Sequence, residues 1–177
     1  ILCRWRRGER GSMKKVMNLK SLLFCAMLVL TMSLNTVNAQ AGALDYLGHT
    51  IDGSELTNEM ESIGNYQSVA RSTYLHQGFV RITNNGGGYV GIGAGTECNV
   101  TCGTVKLNVY LERSSGSEDF YSYKKWENVD YNTSSLYLNQ QVKVEKGYYY
   151  RLRGYHSCTK NGVLENGASR TDGIYIG

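Results

Sequence analysis

Three cysteines and one histidine are the residues whose types and spacing most readily suggest chemistry. Three residues separate Cys98 from Cys102, and one residue separates His156 from Cys158. Thiolates and an imidazole are ligands that Zn²⁺ accepts, and a cysteine activated by a histidine is a nucleophile. The short spacing from His156 to Cys158 matches zinc sites poorly, and no pattern places a thiol on an activated turn. We therefore predict no metal, no cofactor and no catalytic residue.

The same cysteines are candidates for a disulfide. Cys3 lies in a predicted upstream region and Cys25 in a predicted signal peptide, so the exported part is expected to keep the odd set Cys98, Cys102 and Cys158. An exported protein meets oxidising conditions, and one disulfide with one free thiol is then the simplest state. The spacing does not decide which of the first two cysteines pairs with Cys158, and an anaerobic habitat would leave all three reduced.

The aromatic run at residues 146–156 predicts a β-strand whose two faces differ in chemistry. With even positions facing inward, the core receives Tyr148, Tyr150 and Leu152, and an outward stripe remains, formed by Tyr149, Arg151, Arg153 and Tyr155. Aromatic faces stack on sugar rings and arginines bind carboxylates or phosphates through two hydrogen bonds, so this tyrosine–arginine stripe is our candidate binding surface. A structural interpretation is favoured over it, because Tyr110 and Glu112 on a neighbouring strand could pair with these residues without any ligand.

The charge balance excludes nucleic-acid binding, and the glycine pattern excludes two classes of nucleotide-binding protein. Removing residues 1–41 removes seven basic residues and one acid, which leaves twelve basic against fourteen acidic residues and a net charge of about −2. This balance lacks the basic surface that nucleic-acid binding requires. The glycines of residues 86–95 have neither the Lys-Ser/Thr ending of a phosphate-binding loop nor the spacing of a dinucleotide fingerprint, so we interpret them as a hairpin.

The N-terminal residues predict export. Residues 1–12 are expected to be a translated upstream region, and residues 13–41 have a basic start, a short apolar run and small residues before a cleavage point, as a signal peptide does. The apolar run is too short for a stable membrane span, so we expect no membrane insertion after cleavage. We predict a secreted, extracellular protein.

Alternating apolar and polar residues dominate the remaining chain. Residues 105–112 alternate most regularly, and turn compositions such as Asn-Asn-Gly-Gly-Gly at 84–88 separate the strand-like runs. Residues 68–75 predict a further strand, residues 130–135 a turn and residues 159–169 a loop. We predict an all-β domain at 67–177, a two-sheet antiparallel, jelly-roll-like sandwich of about eight strands. It follows the signal helix and residues 42–66, which we expect to form an N-terminal arm or a short helix.

Several of these segments together resemble a known group of proteins. They are Arg71-Ser72-Thr73-Tyr74-Leu75 with Gly78, the alternating run 105–112, Trp126, residues 147–156, and Thr171 with Gly173-Ile174. The pattern resembles small secreted proteins of Gram-positive Firmicutes that are grouped only as a domain of unknown function. The resemblance implies export and a β-rich fold, and it implies no activity and no catalytic residue.

Two functions remain open from the sequence. The first is an extracellular binding or interaction module for a glycan or a cell-surface protein. The alternative is a secreted enzyme or toxin that uses a Cys/His site or acids drawn from Glu112, Asp119 and Glu127. Acids of this kind are common and mostly solvated in sheet proteins, so we favour the binding module.

Overall fold

The computed structural model describes residues 42–67 and 72–177. The predicted upstream region and signal peptide lie outside the described residues, as do the first four positions of the strand predicted at 68–75. Within the described part of the chain, no helix has the length and apolar character needed to cross a membrane.

The described chain forms one short 3-10 helix, Ala43–Tyr46, and nine strands. In order, these strands are β1 Thr50–Ile51, β2 Ser54–Thr57, β3 Glu61–Gln67, β4 Leu75–Asn84, β5 Tyr89–Ser114, β6 Tyr121–Lys143, β7 Tyr148–Lys160, β8 Val163–Arg170 and β9 Gly173–Ile176. The all-β prediction is confirmed. Residues 42–66, expected to be an arm or a short helix, contain the 3-10 helix and contribute β1, β2 and most of β3 to the sheet.

All nine strands belong to one curled, mixed sheet in the order β1-β2-β9-β7-β5-β4-β3. Strand β6 pairs with β5 along nearly its whole length, β8 shares an edge of β7 with β9, and β2 pairs with β9 in parallel. The two separate sheets of a jelly-roll-like sandwich are not confirmed. The reason is the length of β5, 26 residues, which pairs first with β4 and then with β7 and so joins both halves.

The core lies inside the curl. The odd positions of the alternating run, Val105, Leu107, Val109 and Leu111, are fully buried, as the period-two pattern predicts. Leu107, Val109 and Leu111 share one cluster with Val80, Ile82, Val90 and Ile92 from the other half. Strands β4 and β7 approach so closely at Gly78 that a Cβ there would overlap the His156 ring.

Two turn predictions had different outcomes. The hairpin at 84–88 is confirmed: Gly86, Gly87 and Gly88 all have positive φ, and the Tyr89 amide donates to the Gly86 carbonyl. The turn predicted at residues 130–135 is wrong, because β6 runs through it. The polar residues there bend the strand, with Asn132 at φ 54° opposite the irregular pairing between Glu97 and Cys102.

Candidate functional site

The tyrosine–arginine stripe does not lie on one surface. Tyr149 and Arg151 are fully buried, so their predicted outward exposure is wrong. The N-terminal residues fold over this end of β7: the Tyr149 hydroxyl donates to the Ala43 carbonyl at 2.6 Å, and Arg151 donates to Asp52 at 2.6 Å and to Ser54 at 2.8 Å. The inward prediction holds better, since Tyr150 and Leu152 are fully buried and Tyr148 is half-buried.

Arg151 is tolerated inside because its charge is compensated. Its Nε donates to Glu112 at 2.9 Å, its guanidinium lies 4.1 Å from the centre of the Phe120 ring, and Glu112 is itself buried. The hydrogen bond and charge of Arg151 hold the pKa of the Asp52 carboxyl below its ordinary value. A buried cation needs such partners, since breaking a buried ion pair lowers the free energy of unfolding by about 3–5 kcal/mol.

Arg153 and Tyr155, by contrast, reach the surface on the same face as Tyr110. Arg153 bonds the second oxygen of Glu112 at 2.5 Å, and its guanidinium lies 5.8 Å from the Tyr110 ring and 5.6 Å from the Tyr155 ring. The two tyrosine rings meet edge to face at 5.7 Å. Pairing of Tyr110 and Glu112 with the stripe, the favoured structural interpretation, is therefore what the geometry shows.

A groove opens beside this cluster on the outer face of β5, β7 and β8. It encloses about 520 Å³ and is lined by Lys106, Asn108, Tyr155, Ser157, Leu164 and Asn166, among others. The strand register explains this grouping, because Lys106 pairs with Ser157 and Ser157 with Asn166, while Asn108 pairs with Tyr155 and Tyr155 with Ala168. We call this set of residues the outer groove.

Most residues of the outer groove were absent from the sequence prediction. Tyr155 is the one residue of the tyrosine–arginine stripe that lines it, and His156 of the Cys/His candidates lines it as well. The signal that could have found Lys106 and Asn108 was present, since the alternation that buries 105 and 107 points the even positions outward. Asn166 and Leu164 had no such signal, because residues 159–169 read as a loop and not as strand β8.

His156 is enclosed and its nitrogens are occupied. Nδ1 lies 2.9 Å from the Thr96 hydroxyl and Nε2 lies 2.7 Å from the Ser169 hydroxyl. Burial lowers the pKa of His156 to about 4, so the ring is neutral near pH 7. A Cys/His dyad would need one of these nitrogens to face a thiol, and both face hydroxyls instead.

Glu112 and Glu127, two of the acids considered for catalysis, have structural partners, and so does Glu165 on β8. Glu112 is held by both arginines, and Glu127 is bonded to Lys125 at 2.5 Å. Glu165 accepts hydrogen bonds from the Ser72 hydroxyl and from the backbone amides of residues 73, 74 and 75. Although burial opposes ionisation, these donors lower the pKa of Glu165 to about 2. Glu165 therefore ties the β3–β4 connection to β8.

The three cysteines meet inside the bend of β5. Cys102 and Cys158 are buried and Cys98 is half-buried, and their sulfur atoms lie within 4.8 Å of one another. All three are free thiols in the structure. Burial raises the pKa of Cys98 to about 11 and raises that of Cys158 as well. The cluster leaves each predicted pairing with Cys158 within reach, so the disulfide stays a prediction.

A comparison with protein families identifies the family of this chain. Residues 46–173 match the model of DUF6147, a family of unknown function. The chain belongs to this family. The matched DUF6147 residues run from the end of the 3-10 helix to the first residue of β9. They include Arg151 with its partners Asp52, Ser54 and Glu112, the outer groove and the three cysteines. No curated protein matches the chain.

The family match confirms the resemblance to a domain of unknown function. Secretion and an origin in Firmicutes remain predictions from the N-terminal residues and from that resemblance.

Proposed function

We propose that this DUF6147 domain is an extracellular binding module and that its outer groove binds a glycan. The observation that carries the proposal is the position of the Tyr155 ring, 42% exposed, beside amide side chains on both flanking strands. Aromatic faces bind the apolar side of sugar rings, and amides both donate to and accept from sugar hydroxyls.

The register supports a sugar-sized arrangement of these groups. Asn108 neighbours Tyr155 directly across β5 and β7, at a strand spacing of about 4.8 Å. On the other side Tyr155 faces Ala168, whose short side chain leaves the ring accessible. Asn166 and Ser157 form the next row and supply further hydrogen-bonding groups at the floor of the groove.

Charge favours an acidic glycan over a neutral one. Lys106 is exposed, lines the outer groove and has no acidic partner within the described residues, whereas the nearby cations Lys125 and Arg153 are paired with Glu127 and Glu112. An unpaired ammonium beside a stacking ring suits a sugar that carries a carboxylate or sulfate. Within residues 42–67 and 72–177, no comparable arrangement supports the enzyme alternative.

A glycan array probed with the full chain tests this function, followed by calorimetric titration of the retained glycans. We expect acidic glycans on the array to retain the protein. The dissociation constant should rise about 3- to 10-fold in Tyr155→Ala, because the substitution removes the binding energy of one aromatic contact. Asn166→Ala should weaken binding by about the same factor, since one hydrogen bond is lost.

The matched control is Tyr89→Ala. Tyr89 is 39% exposed and is the first residue of β5, whereas Tyr155 pairs with Asn108 toward the other end of that strand. The substitution therefore removes a similar ring from another surface. Equal weakening by both tyrosine variants, or an array on which no glycan retains the protein, would contradict the proposal.

Export is the second part of the proposal. It predicts that the protein recovered from the medium of its bacterial host begins within a few residues of position 40, which N-terminal sequencing measures. Recovery only from the cell interior, with residues 13–41 still attached, would exclude an extracellular function.

A further inference from the structure

The three cysteines form a compact sulfur cluster at a bend of the sheet. Cys98 and Cys102 lie on either side of the point where β5 loses its regular pairing with β6, and this bend brings Cys98 back toward Cys102. Cys158 arrives from β7, where it pairs with Val105. The bend in β5 and the pairing of β5 with β7 thus bring the three sulfur atoms within 4.8 Å of one another.

The separation of the sulfurs suits a single metal ion. Sulfur ligands held about 2.3 Å from one ion lie roughly 4 Å apart, so the three side chains need to move by less than about 1 Å to share it. The surroundings are apolar, since Leu75 and Val105 pack against the cluster with Tyr66, Tyr74 and Leu136 around it.

The neighbouring residues provide no fourth ligand. His156, the nearest histidine in sequence, bonds Thr96 and Ser169 through its two nitrogens. Glu165, which lies close enough to act on Cys98 electrostatically, is occupied by its four donors from residues 72–75. Within the described residues, the metal-ligating group therefore consists of the three cysteines alone.

We propose that Cys98, Cys102 and Cys158 bind one Cu(I) ion in a three-coordinate thiolate site. Cu(I) is soft, prefers sulfur and accepts trigonal coordination, whereas structural Zn²⁺ sites almost always take four ligands. Binding replaces three S–H bonds by three Cu–S bonds and releases three protons to solvent, with no change of oxidation state. This site lies apart from the outer groove and does not depend on its function.

The test uses the full chain with Cys3→Ser and Cys25→Ser, which removes the two N-terminal thiols. The protein is reduced, freed of reductant under anaerobic conditions and titrated with Cu(I) supplied as its acetonitrile complex. We expect thiolate-to-copper charge-transfer absorption in the near ultraviolet that saturates at one equivalent. A parallel titration with Zn²⁺ should give weaker binding, and one equivalent of Cu(I) should displace the Zn²⁺.

Cys98→Ser is the decisive variant, because Cys98 is half-buried and its replacement leaves the buried pair Cys102 and Cys158 in place. We expect it to lower the Cu(I) affinity by at least about 100-fold. Loss of a residue that only supports a ligand lowers metal affinity by up to about 100-fold, and Cys98 is itself a ligand. Cys102→Ser should do the same, and circular dichroism identifies any variant that fails to fold.

Three results would overturn the proposal. The first is unchanged Cu(I) affinity in folded Cys98→Ser. The second is Zn²⁺ that Cu(I) cannot displace. The third is a count of only one free thiol among the three after anaerobic purification, since a disulfide would occupy two of the ligands.

Discussion

The outer face of β7 has two ends that differ in what covers them. At one end, Tyr149 and Arg151 lie beneath β1, β2 and Phe120, and their polar atoms bond Ala43, Asp52, Ser54 and Glu112. At the other end, Arg153 and Tyr155 reach solvent beside the outer groove. The same tyrosine and arginine types are structural in one place and available for binding in the other, because only one end is covered.

Loss of Arg151 should have the largest effect on this difference. Arg151→Ala leaves Glu112 buried without one of its cations and removes the link from β7 to Asp52, so we expect the free energy of unfolding to fall by about 3–5 kcal/mol. Urea denaturation measures this change. Arg153→Ala, at the open end, is the matched control, and a comparable loss there would show that the two ends do not differ.

The next largest effect is a loss of stability at low pH that the buried His156, next to Tyr155 on β7, causes. Its folded pKa of about 4 lies below the ordinary value of 6.5, so the unfolded chain binds more protons between these values and stability falls as pH decreases through this window. The loss should reach about 3 kcal/mol by pH 4.

Urea denaturation at pH 7, 5.5 and 4 measures this dependence, with His156→Gln as the comparison variant. We expect a flatter profile in the variant, whatever its stability at pH 7. Parallel profiles for the two proteins would mean that another group causes the acid sensitivity. Below pH 4.5 a further loss is expected, because the Glu165 carboxyl takes up a proton near that pH in the unfolded chain but only near pH 2 in the folded protein.

Tyr149→Phe isolates one hydrogen bond at the covered end. The substitution keeps the buried ring and removes the hydroxyl that donates to the Ala43 carbonyl, which then loses its partner. We expect the free energy of unfolding to fall by about 1 kcal/mol, visible as a lower thermal midpoint.

Tyr155→Phe is the same substitution at the open end and should have the smallest effect. The Tyr155 hydroxyl has no hydrogen-bond partner within the described residues, so stability should change by less than about 0.5 kcal/mol. If the two tyrosine variants lost equal stability, the covered and open ends would not be distinct. Glycan binding should be retained, since the stacking ring remains.

Much of the sheet could be predicted from short-range pattern. The alternation at 105–111 identifies both the strand and its buried face, and the glycine run at 86–88 identifies the hairpin, because both depend on neighbouring residues only. The prediction failed at residues 130–135, where a polar composition typical of turns lies inside β6. Pairing with β5 supplies hydrogen bonds that outweigh the local preference.

The candidate site shows a similar limit. Period two correctly placed Tyr149, Arg151, Arg153 and Tyr155 on one face of β7, and it correctly suggested Tyr110 and Glu112 as their neighbours. It could not show that residues 43–57 cover half of that face. Asp52 and Ser54 lie about a hundred residues away in sequence, and a charged contact at that distance has no periodic signal.

The sequence by itself determined the β class, the hairpin, the alternation of faces and the identity of the residues on each face, because these follow from dihedral preference and side-chain period. Only the tertiary structure decided which part of the β7 face is buried, that the three cysteines share one cluster and that Asn108 and Asn166 flank Tyr155. These depend on which strands become neighbours, and neighbour choice is set by the burial and charge compensation of the whole chain.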